Sequence, residues 1–433
     1  MIVSLSGIRG IINADLSLVD VAKFARNFAD AAGSREVLMA RDTRNTGPAI
    51  CAAVAGAIVS RGVKVVDYGV ISTPALFRES RLRGKPAVMV TASHNEPEFN
   101  GLKFIEAGKG IGEVMLEAVV GGEGKASRPF GEGRVTGPRR SAYVDDLVSR
   151  FGAHSCEGMK VALDLGGGAA ISHATKLLER LGCKAVSVND TYGVFSRKVD
   201  PVSDELRVLC NLVKKGECDI GLGFDCDGDR LVIVDSHGRK LTGDYMLTLA
   251  MTEALAETGE KNVVVSLDTT RAIDDIVKKV EGTVFRSRVG EANVVSMMRE
   301  KGARIGGEGS SGGLIDSSFN YCRDSMLAAI LILRRLKREG TSVFDKAPAY
   351  HQHRVAVGLS KSKASQAVVR IAKKYEHADR TDGVKIGLSA KSWVLLRPSG
   401  TENVVRVSAE AETAAKAERI ARTFASRLKE LSR

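Results

Sequence analysis

The stretch Thr91-Ala92-Ser93-His94-Asn95-Glu96-Pro97-Glu98-Phe99-Asn100-Gly101-Leu102-Lys103 gathers the groups that phosphoryl chemistry needs. A hydroxyl nucleophile, Ser93, a candidate proton carrier, His94 or Lys103, and two amides that can hold an anion lie within about ten residues of one another. The apolar run at 86–90 reads as a strand, and Pro97 and Gly101 cannot continue it, so the serine stands at the mouth of a sheet.

A second cluster is Gly223-Phe224-Asp225-Cys226-Asp227-Gly228-Asp229-Arg230. In an extended segment the alternation points Asp225, Asp227 and Asp229 the same way, and three like charges so close are costly unless a cation sits among them. An all-oxygen set suits a hard ion such as Mg²⁺. An EF-hand is excluded, because Arg230 takes the place that needs glycine and Ser236 the place that needs glutamate. A third cluster, Gly306-Gly307-Glu308-Gly309-Ser310-Ser311-Gly312-Gly313, is a glycine-rich loop around one carboxylate. In the fourth, Arg397-Pro398-Ser399-Gly400-Thr401-Glu402, a turn exposes backbone N–H groups beside a guanidinium and two hydroxyls, which makes a phosphate cradle. The turn Gly166-Gly167-Gly168 invites a dinucleotide reading, but no glycine follows at the third position of that fingerprint.

In this order the four clusters resemble the signatures of the α-D-phosphohexomutases, which move phosphate between the two ends of a hexose, and the likeness covers nearly the whole chain. It implies that Ser93 is stored as a phosphoserine. It also implies that Asp225, Asp227 and Asp229 hold one Mg²⁺ per chain, completed by a phosphate oxygen on Ser93, with Arg230 at the same site. Glu308 and either Ser310 or Ser311 would grip adjacent sugar hydroxyls, and Arg288, in Arg288-Val289-Gly290, would face the sugar from a companion loop. Arg397, Ser399, Gly400 and Thr401 would hold the phosphate that is not reacting, and Arg406 would add charge. Lys103, His94 or Arg9 would move the proton; a lysine in that role needs a lowered pKa, which Arg9 and Arg41 are expected to favour.

The reaction so implied interconverts hexose 6-phosphate and hexose 1-phosphate through a hexose 1,6-bisphosphate, which also serves as activator. Serine in the Glu308 loop and the form Arg-Pro-Ser-Gly-Thr-Glu resemble the phosphoglucosamine mutases, so glucosamine phosphate is the expected substrate, with mannose and glucose phosphates as alternatives. A metal-dependent sugar phosphatase and a catalytically silent sugar-phosphate binder are the competing classes. Two departures from the family pattern stand out: Glu96 where proline is usual, and one extra residue in the Glu308 loop.

Such distant clusters need a scaffold, and 433 residues exceed one hydrophobic core. Strand and helix patterns alternate from the amino terminus to the middle 300s, including helices at 18–32, 48–61 and 169–181, which argues for βαβ units. The expected architecture is α/β: three successive mixed-sheet domains of similar topology, at 1–148, 149–252 and 253–347, then an α+β domain at 350–433, around a central cleft. A glycine- and charge-rich surface loop is expected at 121–137 and a linker at 347–349.

Composition narrows the rest. The hydrophobic share of 44% and charged share of 27% are those of a soluble globular protein. The net charge of +12 is spread along the chain and aromatics are 5%, so basic runs interleaved with stacking rings are missing and nucleic acid is not expected; a basic surface suits anionic sugar phosphates. Absence of a leader and of an apolar run of about 18 residues predicts a cytoplasmic protein with no membrane partner. The seven cysteines have no Cys-x-x-Cys pair and are expected as reduced thiols. A monomer or a homodimer is expected.

Overall fold

The computed structural model describes residues 1–122, 133–346, 350–399 and 403–431. Part of the loop expected at 121–137, the whole linker at 347–349, and Gly400 and Thr401 of the fourth cluster lie outside the described residues.

One four-strand unit occurs three times. In the first sheet Lys64–Val70, Glu36–Arg41, Ala87–Val90 and Phe99–Glu106 lie side by side, the first two junctions parallel and the last antiparallel. Lys184–Val188, Lys160–Asp164, Ile220–Phe224 and Leu231–Val234 repeat that order and those directions. Thr283–Ser287, Asn262–Ser266, Ile305–Glu308 and Gly313–Asp316 repeat them again. In each unit the third strand doubles back into the fourth, and that turn carries a motif: Ser93 in the first, the aspartates in the second, the Glu308 loop in the third. The first sheet is extended by the hairpin Ile2–Ser4 and Gly7–Ile11. The last sheet is all antiparallel, ordered His351–Gly358, Val404–Ala411, Ser392–Pro398 and Val384–Ser389, with helices Lys361–Ala372 and Ala414–Leu431 packed on it.

Packing divides the molecule unevenly. One continuous apolar core runs through the first three units, from Leu38 and Phe77 through Leu163 and Phe224 to Val265, and helix Ser325–Glu339 is buried along most of its length within it. The fourth domain has its own core and meets the third through a small cluster of Leu267, Trp393 and Leu395.

Arg9 sits on the strand Gly7–Ile11, and Lys103 on the strand Phe99–Glu106 that pairs with it. Glycine permits that pairing, since a Cβ on Gly101 would lie 2.1 Å from the Ile8 carbonyl oxygen. The helix expected over 169–181 is a 3₁₀ turn, Ala169–Ser172, followed by the helix Ala174–Arg180. Its start is tied elsewhere: the Ala169 N–H donates to the Cys226 carbonyl at 2.7 Å, anchoring the segment to the aspartate turn.

Candidate active site

Ser93 occupies the left-handed region at φ 50° and is 2% exposed, a conformation that costs a non-glycine residue about 1–3 kcal/mol and persists only where the surroundings impose it. The surroundings here are specific. Its N–H donates to Thr91 Oγ1 at 2.8 Å, and that hydroxyl donates to Asp42 Oδ2 at 2.7 Å. Asp42 pairs with the fully buried Arg44, whose guanidinium donates to the carbonyls of Ser93, Asn95, Glu96 and Phe99 at 2.6–2.9 Å. A single side chain thus collects four backbone acceptors of one sharp loop, of which only the Glu96 carbonyl also takes a backbone N–H, that of Phe99, among the described residues. Arg41, expected near the proton carrier, turns instead to the Asp42 carbonyl.

The aspartates do not lie on an extended segment. Gly228 at φ 68° turns the chain, and the N–H groups of Asp229 and Arg230 both donate to Asp225 Oδ1 at 3.1 Å. The turn still brings the three carboxylates together, one oxygen of each lying within 4.8 Å of the others, all buried. Ser93 Oγ donates to Asp225 Oδ2 at 3.1 Å. Thr73 Oγ1 donates to Asp227 Oδ2 at 2.6 Å, and Arg323 Nη2 to Asp229 Oδ2 at 2.8 Å. Burial and mutual repulsion raise the pKa of Asp225 and Asp227, whereas Arg323, Lys103 and Arg230 overcome burial and lower that of Asp229. Asp227 Oδ1 and Asp229 Oδ1 are buried without a hydrogen-bond partner. Two orphaned carboxylate oxygens in a three-carboxylate cluster fit a hard divalent cation.

Lys103 Nζ stands 3.5 Å from Asp229 Oδ2 and 3.3 Å from Glu291 Oε1. Burial pulls its pKa down, but Glu291 and Asp229 more than reverse this, so the lysine is held as a cation; the lowering expected from Arg9 and Arg41 does not occur. His94 is the opposite case, pushed down to about 2 by burial and by Arg230, Arg9 and Arg323. Its Nδ1 lies 2.8 Å from Arg230 Nη2, which assigns that nitrogen as the acceptor and the imidazole as neutral. Arg9 Nη1 donates to Asn95 Oδ1 at 3.1 Å, so its guanidinium braces the serine loop.

Glu308 is held on both oxygens: Oε1 accepts from the Gly290 N–H at 2.7 Å, and Oε2 lies 3.3 Å from Arg323 Nη1. Ser311 Oγ lies 3.4 Å from Glu308 and Ser310 is half-buried, and both line the open space. Arg288 departs from expectation. It is exposed, donates to the Thr381 carbonyl at 3.1 Å and does not line the cleft, which Val289, Gly290 and Glu291 do. Arg397 lines the cleft with its Nε 2.8 Å from Asp382 Oδ2, and Ser399, two residues on, is buried.

These groups surround a cavity of about 640 Å³ to which all four domains contribute. Arg9, Arg230, Arg323, Arg354, Arg397 and Arg406 line it, so an anion meets positive charge from every side. Ser93 and the three aspartates are buried and do not themselves line the cavity; their chain neighbours His94 and Arg230, in contact at 2.8 Å, do. Sequence reasoning missed Arg44, Glu291, Arg323 and Arg354. Only Arg44 left a signal, in the charged run Arg41-Asp42-Thr43-Arg44 after a strand.

The chain matches four family descriptions in order: phosphoglucomutase/phosphomannomutase alpha/beta/alpha domain I at residues 2–121, domain II at 141–238, domain III at 242–352 and the C-terminal domain at 355–427. It is 30% identical over 435 residues to a probable phosphoglucosamine mutase of Methanopyrus kandleri, covering 97% of this chain and 96% of that one. It is 31% identical over 441 residues to a phosphoglucomutase/phosphomannomutase of Thermococcus kodakarensis, covering 95% and 94%. A crystal structure of a phosphoglucomutase/phosphomannomutase family protein from Burkholderia thailandensis superposes with a TM-score of 0.86 at 26% identity, covering 99% of this chain and 98% of the other.

Proposed function

This chain belongs to the phosphoglucomutase/phosphomannomutase family of phosphohexomutases, and on that premise we propose that it interconverts glucosamine 6-phosphate and glucosamine 1-phosphate through a phosphoserine at Ser93 and a 1,6-bisphosphate. The observation that carries the proposal is the contact of Ser93 Oγ with Asp225 at 3.1 Å, which joins two motifs 132 residues apart, each with a neighbouring residue, His94 and Arg230, on the wall of one arginine-lined cavity.

The steps follow from the side chains. The phosphoryl group leaves Ser93 Oγ for the free hydroxyl of a hexose monophosphate whose own phosphate rests against Arg397, Ser399 and Arg406. Phosphoryl transfer proceeds through a loose transition state with little covalent work for the protein, so positioning and charge stabilisation dominate and the demand for a strong base is small. Lys103, held as a cation, starts the cycle as the proton donor to the departing serine oxygen, and the proton that the attacking sugar hydroxyl gives up then replaces the one it has lost. Asp225, Asp227 and Asp229 would hold Mg²⁺, which when bound neutralises charge on the phosphoryl oxygens. The bisphosphate then turns end for end, and Ser93 accepts the second phosphoryl group while the hydroxyl proton returns. Glu308, fixed by Gly290 and Arg323, meets sugar hydroxyls in either orientation, with Ser310 and Ser311 beside it on the cavity wall.

Glucosamine phosphate is favoured by the serines of the Glu308 loop and by relatives named probable phosphoglucosamine mutase. A phosphomannomutase/phosphoglucomutase reading has one observation in its favour, the Thermococcus kodakarensis relative of that name at 31% identity. Steady-state assays with glucosamine, mannose and glucose 1-phosphates, primed with the matching bisphosphate and Mg²⁺, test the choice. Glucosamine 1-phosphate should give the highest kcat/KM, and turnover confined to mannose or glucose phosphate would remove it.

A further inference from the structure

We infer that Asp382 is a positioning residue of this site, tying the phosphate clamp of the fourth domain to the hydroxyl-reading loop of the third; the inference rests on the phosphohexomutase reading above. Asp382 Oδ2 lies 2.8 Å from Arg397 Nε and accepts from the Val289 N–H at 3.0 Å. One carboxylate oxygen therefore serves a guanidinium of one domain and a backbone amide of another. The next N–H along, that of Gly290, donates to Glu308 Oε1 at 2.7 Å. Just before Asp382, the Thr381 carbonyl accepts from Arg288 Nε at 3.1 Å, so the turn at 381–382 holds the segment 288–290 on both sides.

Each end of this path controls an orientation that substrate reading needs. An arginine held in an ion pair keeps its guanidinium close to one place, whereas a released one spreads over many rotamers and pays ordering entropy on binding. At the other end Gly290 sits at φ 122°, where only glycine is at ease, so the backbone there has little intrinsic preference; Asp382 and Glu308 aim the Val289 and Gly290 N–H groups, and the Val289 carbonyl accepts from Asn293 Nδ2 at 2.9 Å. Gly383 pins the turn: at φ 81° it lies against the Leu396 carbonyl oxygen, which a Cβ would approach to 2.3 Å. Asp382 itself does not line the cavity, so it acts through Arg397 and Glu308 without touching the sugar phosphate. Grip on the phosphate and reading of the hydroxyls are thereby coupled across the two domains.

The test is a double-mutant cycle on the full-length protein, with glucosamine 6-phosphate binding measured by calorimetry for Asp382→Asn, Glu308→Gln and the double variant. Asp382→Asn should weaken binding by roughly tenfold with an unchanged melting temperature, and the double variant should be weakened by several-fold less than the product of the single effects. Effects that simply multiply, or an Asp382→Asn variant that binds as the unaltered protein does, would overturn the coupling. Should Asp382→Asn fail to fold, Arg288→Ala, which frees the same turn from its exposed side, takes its place in the cycle under the same criteria. If the unaltered protein binds none of the hexose phosphates, the phosphohexomutase reading falls and this inference with it; multiplicative effects on a binding-competent protein remove only the inference.

Discussion

At the scale of single residues, the group whose loss should cost most outside the reacting centre is Arg44. It is fully buried, paired with Asp42 and bonded to four carbonyls of the serine loop. Truncating one partner of such a pair leaves a buried charge uncompensated, so Arg44→Met should lose about 3–5 kcal/mol in urea unfolding and should abolish phosphoserine formation; a loss under about 1 kcal/mol would refute the role. His94 makes a prediction of the other kind. With its pKa pushed down to about 2 it stays neutral throughout the working range, so His94→Asn should leave the shape of the kcat–pH profile unchanged between about pH 5 and 8. Disappearance of an inflection in that variant would return the histidine to proton transfer. Ser93, the aspartates and Arg397 were legible in the sequence because each carries its chemistry within a short run. Arg323 and Glu291 were not, since an arginine meeting Asp229, Glu291 and Glu308 is defined only by a fold that brings together positions as much as 94 apart in the chain. Arg288 misled for a related reason: its neighbours face the cleft, and its own guanidinium serves the neighbouring domain.

At the scale of elements, the turn between the third and fourth strands is the recurring device. Three topologically equal turns deliver serine, carboxylates and sugar reader, which is why motifs so far apart in the chain reach one cavity. The alternation of strand and helix was readable from periodicity, and the repetition was expected from it. The antiparallel fourth strand was not, because Phe99–Glu106 follows the polar motif without a break and is buried on both faces, so it shows no alternation of its own. Strand Val384–Ser389 of the last sheet carries a testable charge. Lys385 Nζ donates to the Leu267 carbonyl at 2.6 Å and lies 4.2 Å from the Trp393 ring centre, and burial brings its pKa down to about 7. Between that value and the ordinary lysine value the unfolded chain binds the extra proton, so stability gains as pH rises through this window and is lost as pH falls toward 7. The melting temperature of the unaltered protein, relative to Lys385→Met, should therefore rise between about pH 7 and 9.5; a pH-independent difference would contradict the assignment.

At the scale of the whole molecule, one core runs through three domains and the fourth is docked by a small apolar cluster and by polar contacts, an arrangement that keeps serine, carboxylates and sugar reader in fixed register while the clamp sits on a separate body. The buried carboxylate cluster also links metal to stability. Mg²⁺ should raise the melting temperature by mass action, and Asp227→Asn should remove most of that shift; an equal shift in the variant would place the ion elsewhere. Four domains around a cleft were legible from the order of the motifs, whereas which side chains would face inward required the packing. The most direct test of the central claim is intact-mass analysis with peptide mapping after incubation with glucosamine 1,6-bisphosphate and Mg²⁺. One phosphoryl group should appear on Ser93 and pass to added glucosamine monophosphate, and Ser93→Ala should show neither the label nor isomerisation. A phosphoryl group mapped to any other residue, or isomerisation that survives Ser93→Ala, would contradict the account.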